Sequence, residues 1–107
     1  MSRSWRILSS ALMLLALTAS AATAQEDAAR RFQDAQGMER GGNHKGALEA
    51  YLASAEAGYG PAQRRLGEIY DRGSPATARD YQQSLRWYEK ARAQGVEIPK
   101  PIQRVPH

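Results

Sequence analysis

The chain has 107 residues, with 15 Lys and Arg, 11 Asp and Glu, and no cysteine. That length holds one small domain. The lack of cysteine excludes a disulfide framework and lipid attachment through a thiol.

In chain order, the first segment is basic at Arg3 and Arg6, apolar from Ile7 to Leu17, and built of small residues up to Ala22-Thr23-Ala24. This is the order of a secretory signal peptide: a cationic end held inside, an apolar helix that partitions, and small side chains where the peptidase approaches the backbone. It predicts a leader over residues 1–24 cut after Ala24, with Ala19-Ser20-Ala21 as a second choice. An uncleaved anchor is the competing reading, but a span needs about 20 mostly apolar residues, and this run thins into Ser, Thr and Ala first. Without the leader, 13 basic residues face 11 acidic ones. That is a mixed soluble surface without the basic stripe of a nucleic-acid binder, and no membrane contact is expected after cleavage. Export without cysteine predicts a periplasmic or secreted bacterial protein.

The remaining chain reads as four helices. The first is expected over Asp27 to Arg40, with Ala28, Phe32, Ala35 and either Met38 or Glu39 on one stripe. Gly41-Gly42-Asn43 ends it and offers Asn43 as the next N-cap. The second is expected from His44 to Ala57, burying Ala47, Leu48, Tyr51, Leu52 and Ala55, and ending at Gly58. Gly60-Pro61 opens the third, with Pro61 expected at the first helical position, and Ala62, Leu66, Ile69 and Tyr70 form its stripe up to Arg72 and Gly73. After a loop over Ser74 to Arg79, Asp80 and Gln83 have capping-box spacing. The fourth helix is expected to bury Leu85, Tyr88 and Ala91, with Tyr81 a turn earlier and Trp87 beside them, and to end at Gly95. Pro99, Pro101 and Pro106 make residues 96–107 an extended tail, packed only near Val96 and Ile98; its alternative role is a proline-rich ligand for a groove.

Ala47-Leu48-Glu49-Ala50-Tyr51 through Gly58 recurs 37 residues later as Ser84-Leu85-Arg86-Trp87-Tyr88 through Gly95. Such a period signals stacked supersecondary units. The set Leu66, Gly67, Tyr70, Gly73, Asp80, Leu85, Trp87, Tyr88, Ala91 and Gly95 resembles the Sel-one-like repeat, a relative of the tetratricopeptide repeat. The resemblance covers residues 61–95, with Ser84 where that family mostly has Ala. Residues 27–58 resemble a degenerate first unit. The implied fold is all-α: two antiparallel helix hairpins stacked as a short α-solenoid over residues 25–95. Gly67 then lets two helices approach closely, Ala47, Ser84 and Ala91 do so from the partner helices, and Tyr51, Tyr70, Trp87 and Tyr88 fill the larger gaps.

No catalytic constellation emerges. His44 and His107 have no partner at metal-ligand spacing, no serine has a histidine partner in sequence, and Gly41-Gly42 lacks the lysine of a phosphate loop. Neither cofactor nor metal is expected. Glu68, Asp71 and Glu89 read as a solvated face, with Arg64 and Arg72 one turn from Glu68. The resemblance implies that the first helix of each unit lines a concave groove. Arg64, Arg65, Glu68, Asp71 and Arg72 are the candidate partner-binding residues, joined by Gln36, Glu39 and Arg40. Their mixed charge suits a peptide segment or a chain terminus, and a plain solvent face is the alternative. Two units are fewer than such arrays usually need, so the open end is expected to be capped by Val96–Ile98 or to meet a partner or a second copy at an apolar patch around Trp87 and Ile98. The expected function is a non-catalytic adaptor binding a protein or peptide of the envelope. Alternatives are a regulatory or inhibitory subunit of an envelope enzyme and, behind it, a cell-wall enzyme using Glu68 or Asp71 as its acid.

Overall fold

A computed structural model describes the backbone of residues 3–98 and the side chains of residues 22–98; the expectations for the leader's side chains and for the tail beyond Ile98 lie outside that range. The described chain is four helices, α1 (Arg3–Arg40), α2 (His44–Glu56), α3 (Gly60–Arg72) and α4 (Tyr81–Ala93). The expected first helix is the packed end of a longer one. No Gly or Pro interrupts residues 3–36, so nothing stops the helix at Asp27. Among the described residues no helix is long and apolar enough to cross a membrane.

α1 packs on α2, α3 on α4, and α2 joins the two hairpins by packing on α3. The result is the two-hairpin stack expected of a short helical-repeat solenoid. Its core runs through Ala35, Ala47, Tyr51, Ala55, Ala62, Leu66, Ile69, Tyr70 and Trp87. In the first hairpin the Phe32 ring meets Tyr51 at 5.7 Å and the edge of Tyr59 at 5.4 Å, and the buried Ser54 hydroxyl donates to the Ala28 carbonyl at 2.6 Å. Between hairpins, the Gln63 amide donates to the Ala55 carbonyl at 3.1 Å.

The 37-residue recurrence holds at the level of single hydrogen bonds. Asn43 Oδ1 accepts from Gly46 N–H at 3.0 Å, and Asp80 Oδ1 accepts from Gln83 N–H at 3.1 Å. At the other end, Tyr59 N–H donates to the Ser54 carbonyl at 3.2 Å and Val96 N–H to the Ala91 carbonyl at 3.1 Å. Both exits pass through a left-handed glycine, Gly58 at φ 91° and Gly95 at φ 84°, as a Schellman cap requires.

The second hairpin closes on Gly67. A Cβ there would lie 2.5 Å from the Tyr88 ring, and the buried Ser84 hydroxyl donates to the Gly67 carbonyl at 2.7 Å. α4 is therefore seated by a ring and a hydroxyl one turn apart, both on one glycine. This seating corrects the expected face of α4. Ser84, Trp87 and Ala91 are buried, with Trp87 8% exposed, whereas Leu85 is 42% and Tyr81 56% exposed. Ser84 and Ala91 admit the backbone of α3 as their size led one to expect, Tyr88 is half-buried, and Leu85, which would hold the helices apart, is turned out. In α1 it is Met38 that is exposed, while Glu39 is half-buried.

The capping box at α4 is half-formed. Asp80 caps Gln83 N–H, but Asp80 N–H donates to the Tyr70 carbonyl at 2.8 Å instead of to Gln83. That bond ties the end of α3 to the start of α4 across the loop. Within the loop, Ser74 and Thr77 exchange backbone hydrogen bonds of 2.9 and 3.2 Å around Pro75 and Ala76, and the Ser74 hydroxyl accepts from Ala76 N–H at 3.1 Å.

Two outcomes are expected. Gly67→Ala should cost about 1–3 kcal/mol by overpacking, and most of that cost should vanish in a Tyr88→Ala background; denaturant melts of the four variants give the coupling. Burial raises the phenol pKa of Tyr51, Tyr70 and Tyr88 above the ordinary 10.0. The folded state thus favours the neutral ring. The corresponding stability is fully present below pH 10 and is lost as pH rises through the raised values. Melts across the alkaline range should show this fall, and Tyr51→Phe or Tyr70→Phe should flatten it.

Candidate functional site

The packed half of α1 and the outer face of α3 meet through one side chain. Arg65 Nη2 lies 2.7 Å from Glu39 Oε1 on α1, and its Nη1 lies 2.9 Å from Glu68 Oε2 on its own helix. The Tyr51 phenol on α2 lies near the same guanidinium, which offsets part of the effect of its burial. Burial works against the charge of Arg65, but the hydrogen bonds to Glu39 and Glu68 outweigh it and hold the guanidinium above its ordinary range. Arg65 is thus a tie between α1 and α3. A planar group with five donors can bond two carboxylates in this way where a lysine ammonium could not hold the same fork.

Glu68 is engaged on both oxygens, since Arg64 Nε approaches Oε1 at 3.4 Å. Of the five expected partner-binding residues, the structure therefore gathers Arg64, Arg65 and Glu68 into one cluster with Glu39. Asp71 and Arg72 lie one turn further along α3 and form no salt bridge among the described residues. Glu68 was expected to pair with Arg64 and Arg72; Arg65 takes the second place, because Glu39 anchors its far side. On α1, Gln36 is half-buried and Arg40 exposed. The link to Glu39 spans 26 residues, and no local spacing announces it. The Arg65–Glu68 contact, three residues apart, was available from helical geometry.

The apolar patch expected around Trp87 and Ile98 does not form as described. Trp87 belongs to the core and Lys90 lies over its ring, 4.8 Å from the centroid. Ile98 is half-buried, and the exposed apolar side chains of α4 are Tyr81 and Leu85. Among the described residues no group of three or more His, Cys, Asp or Glu could hold a metal ion.

Residues 60–96 match the family model of the Sel1 repeat. The matched stretch is α3, its loop, α4 and the exit through Gly95, about a third of the chain, and it supports a repeat protein of this type. Curated proteins and solved structures yield no match.

Replacing Arg65 tests the tie. A double-mutant cycle of Arg65→Ala with Glu39→Ala should return a coupling of about 1 kcal/mol, modest because both partners remain about a third exposed. Arg65→Lys should restore little of it.

Proposed function

We propose that this chain is an exported, non-catalytic helical-repeat protein that captures a protein or peptide partner on the face shared by α1 and α3. The observation that carries the reading is the division of labour on that face. Arg65, Glu39 and Glu68 satisfy one another and hold α1 beside α3. Asp71 and Arg72, a turn beyond Glu68, and Arg40, next to Glu39, stay free of salt bridges among the described residues. A rigid floor with unpaired charges of both signs at its edge suits a polar peptide segment or chain terminus, and repeats of the Sel1 kind serve as protein-interaction modules. Glu68 is held by two guanidiniums, which favours binding over its use as a general acid.

Export is the second half of the proposal. Residues 22–27 are all exposed, and among the described side chains of α1 the first buried one is Ala28. A cut after Ala24 leaves every described core residue in place, and residues 25–107 carry the whole packed domain to the periplasm or exterior.

The test is affinity capture from a bacterial envelope extract with residues 25–107 as bait. The wild type should retain a partner that an Arg64→Glu, Arg72→Glu double variant of unchanged melting temperature loses at least about tenfold, and added salt should weaken retention. Equal retention by the double variant would sink the proposed face. Loss of turnover in Asp71→Asn with binding intact would instead favour a catalytic role.

A further inference from the structure

Tyr51 and Tyr88 hold the same place in the two hairpins, and each lies within range of a carboxylate on its partner helix. The 37-residue recurrence carries Tyr51 of α2 onto Tyr88 of α4. α1 and α3 align by their last residues, Arg40 and Arg72. That register sets the buried Ala28 and Ala35 of α1 at the places of the buried Gly60 and Gly67 of α3. It also sets Glu39 at the place of Asp71. The charges of Glu39 and Arg40 reach the Tyr51 phenol, and those of Asp71 and Arg72 reach the Tyr88 phenol. Glu68 and Arg64 reach Tyr88 as well, but these two are paired with each other.

The first hairpin shows what such a pair of groups receives. α3, which packs on α2, delivers Arg65 to Glu39 Oε1 at 2.7 Å, and the same guanidinium lies near the Tyr51 phenol. Arg40, the neighbour of Glu39, does not take that place. In the second hairpin Asp71 forms no salt bridge among the described residues, although Arg72 is its neighbour. α4 packs on α3 alone among the described helices. Its Leu85 is exposed where the equivalent Leu48 of α2 packs against the core. We propose that Asp71 and Tyr88 form a seat for an arginine of a partner polypeptide, laid along the open side of α4 as α3 is laid along α2.

This seat rests on the capture of a peptide partner proposed above, and it names the side chain captured. Arginine fits better than lysine, because its planar fork reaches a carboxylate and a phenol at once and packs flat on a ring. Leu85, one turn before Tyr88 on α4, gives the same segment an apolar contact beside the charged one. A second copy of this chain stacked in the same register does not supply the arginine. The alignment that sets Glu39 at the place of Asp71 sets Gln33 of α1 at the place of Arg65, and an amide brings no charge to the carboxylate. The occupant is therefore a different polypeptide, with an arginine and an apolar residue on one edge.

The probe is a peptide of residues 60–72, acetylated, amidated and stapled as a helix, because this segment delivers an arginine to Glu39 in the structure. It is made with arginine, lysine or citrulline at the place of Arg65 and titrated into the full chain by NMR. The arginine peptide should bind about fivefold tighter than the neutral citrulline peptide, with the lysine peptide between them, and should shift the signals of Asp71 and Tyr88. Asp71→Asn should abolish the preference at unchanged melting temperature, and Tyr88→Phe, which keeps the ring on Gly67, should narrow it. Asp34→Asn, at an exposed acid of α1, should leave it intact. Equal binding of the arginine and citrulline peptides, a preference that survives Asp71→Asn, or no binding at all would overturn the seat. Envelope capture that Arg64→Glu with Arg72→Glu abolishes and Asp71→Asn leaves untouched would overturn the seat alone and sustain the proposed face.

Discussion

The second hairpin depends on the absence of a side chain at Gly67. The Tyr88 ring occupies the space a Cβ would take, and at that separation the Ser84 hydroxyl reaches the Gly67 carbonyl. A helix carbonyl normally committed to its own ladder accepts a second, cross-helix donor only when the neighbouring helix is this close. The rest of the α4 interface follows from that distance: Ser84 and Ala91 face inward because they are small, Trp87 fills the flank, and Leu85 is turned out.

The first hairpin solves the same problem with other atoms. Ala35 and Ala47 are its small inward residues, Phe32, Tyr51 and Tyr59 form its aromatic cluster, and Ser54 bonds the Ala28 carbonyl. A hydroxyl reaching across to a backbone carbonyl thus appears in both hairpins, near the end of α2 in one and near the start of α4 in the other. Between them, Arg65 joins α1 to α3 through one guanidinium. That couples the surface to the stack: the charged groups at the edge of the α1–α3 face sit on a floor whose position is set by the same residue that joins the hairpins.

Much of this was legible from residue order. Four helices, their glycine and proline punctuation, Asn43 and Asp80 as caps, and the stripes of α1, α2 and α3 follow from periodicities of three to four and from the conformational freedom of glycine. The face of α4 was read in part: Ser84, Ala91 and Trp87 were named and are buried, but hydrophobicity added Leu85 and Tyr81, which are exposed; an apolar stripe does not reveal how near the neighbouring backbone must come. Of the candidate face, the charged positions on α3 could be named, but not which were already satisfied. Arg65 and Glu39 are far apart in sequence, and long-range pairing leaves no local trace. The upstream extension of α1 was missed because the leader was set apart by its composition, although nothing in it breaks a helix.

The loop between α3 and α4 closes upon itself, through Ser74 and Thr77, while Asp80 N–H to the Tyr70 carbonyl spans its base. The first hairpin makes the corresponding turn with only Gly41, Gly42 and Asn43. Connections so unequal in length, joining helix pairs of like packing, show that the turn does not govern the hairpin. Residues 74–79 are therefore a seam where evolution can lengthen, shorten or decorate the unit without disturbing its stack, and a designer seeking to graft a tag or a second recognition element has a place ready for it.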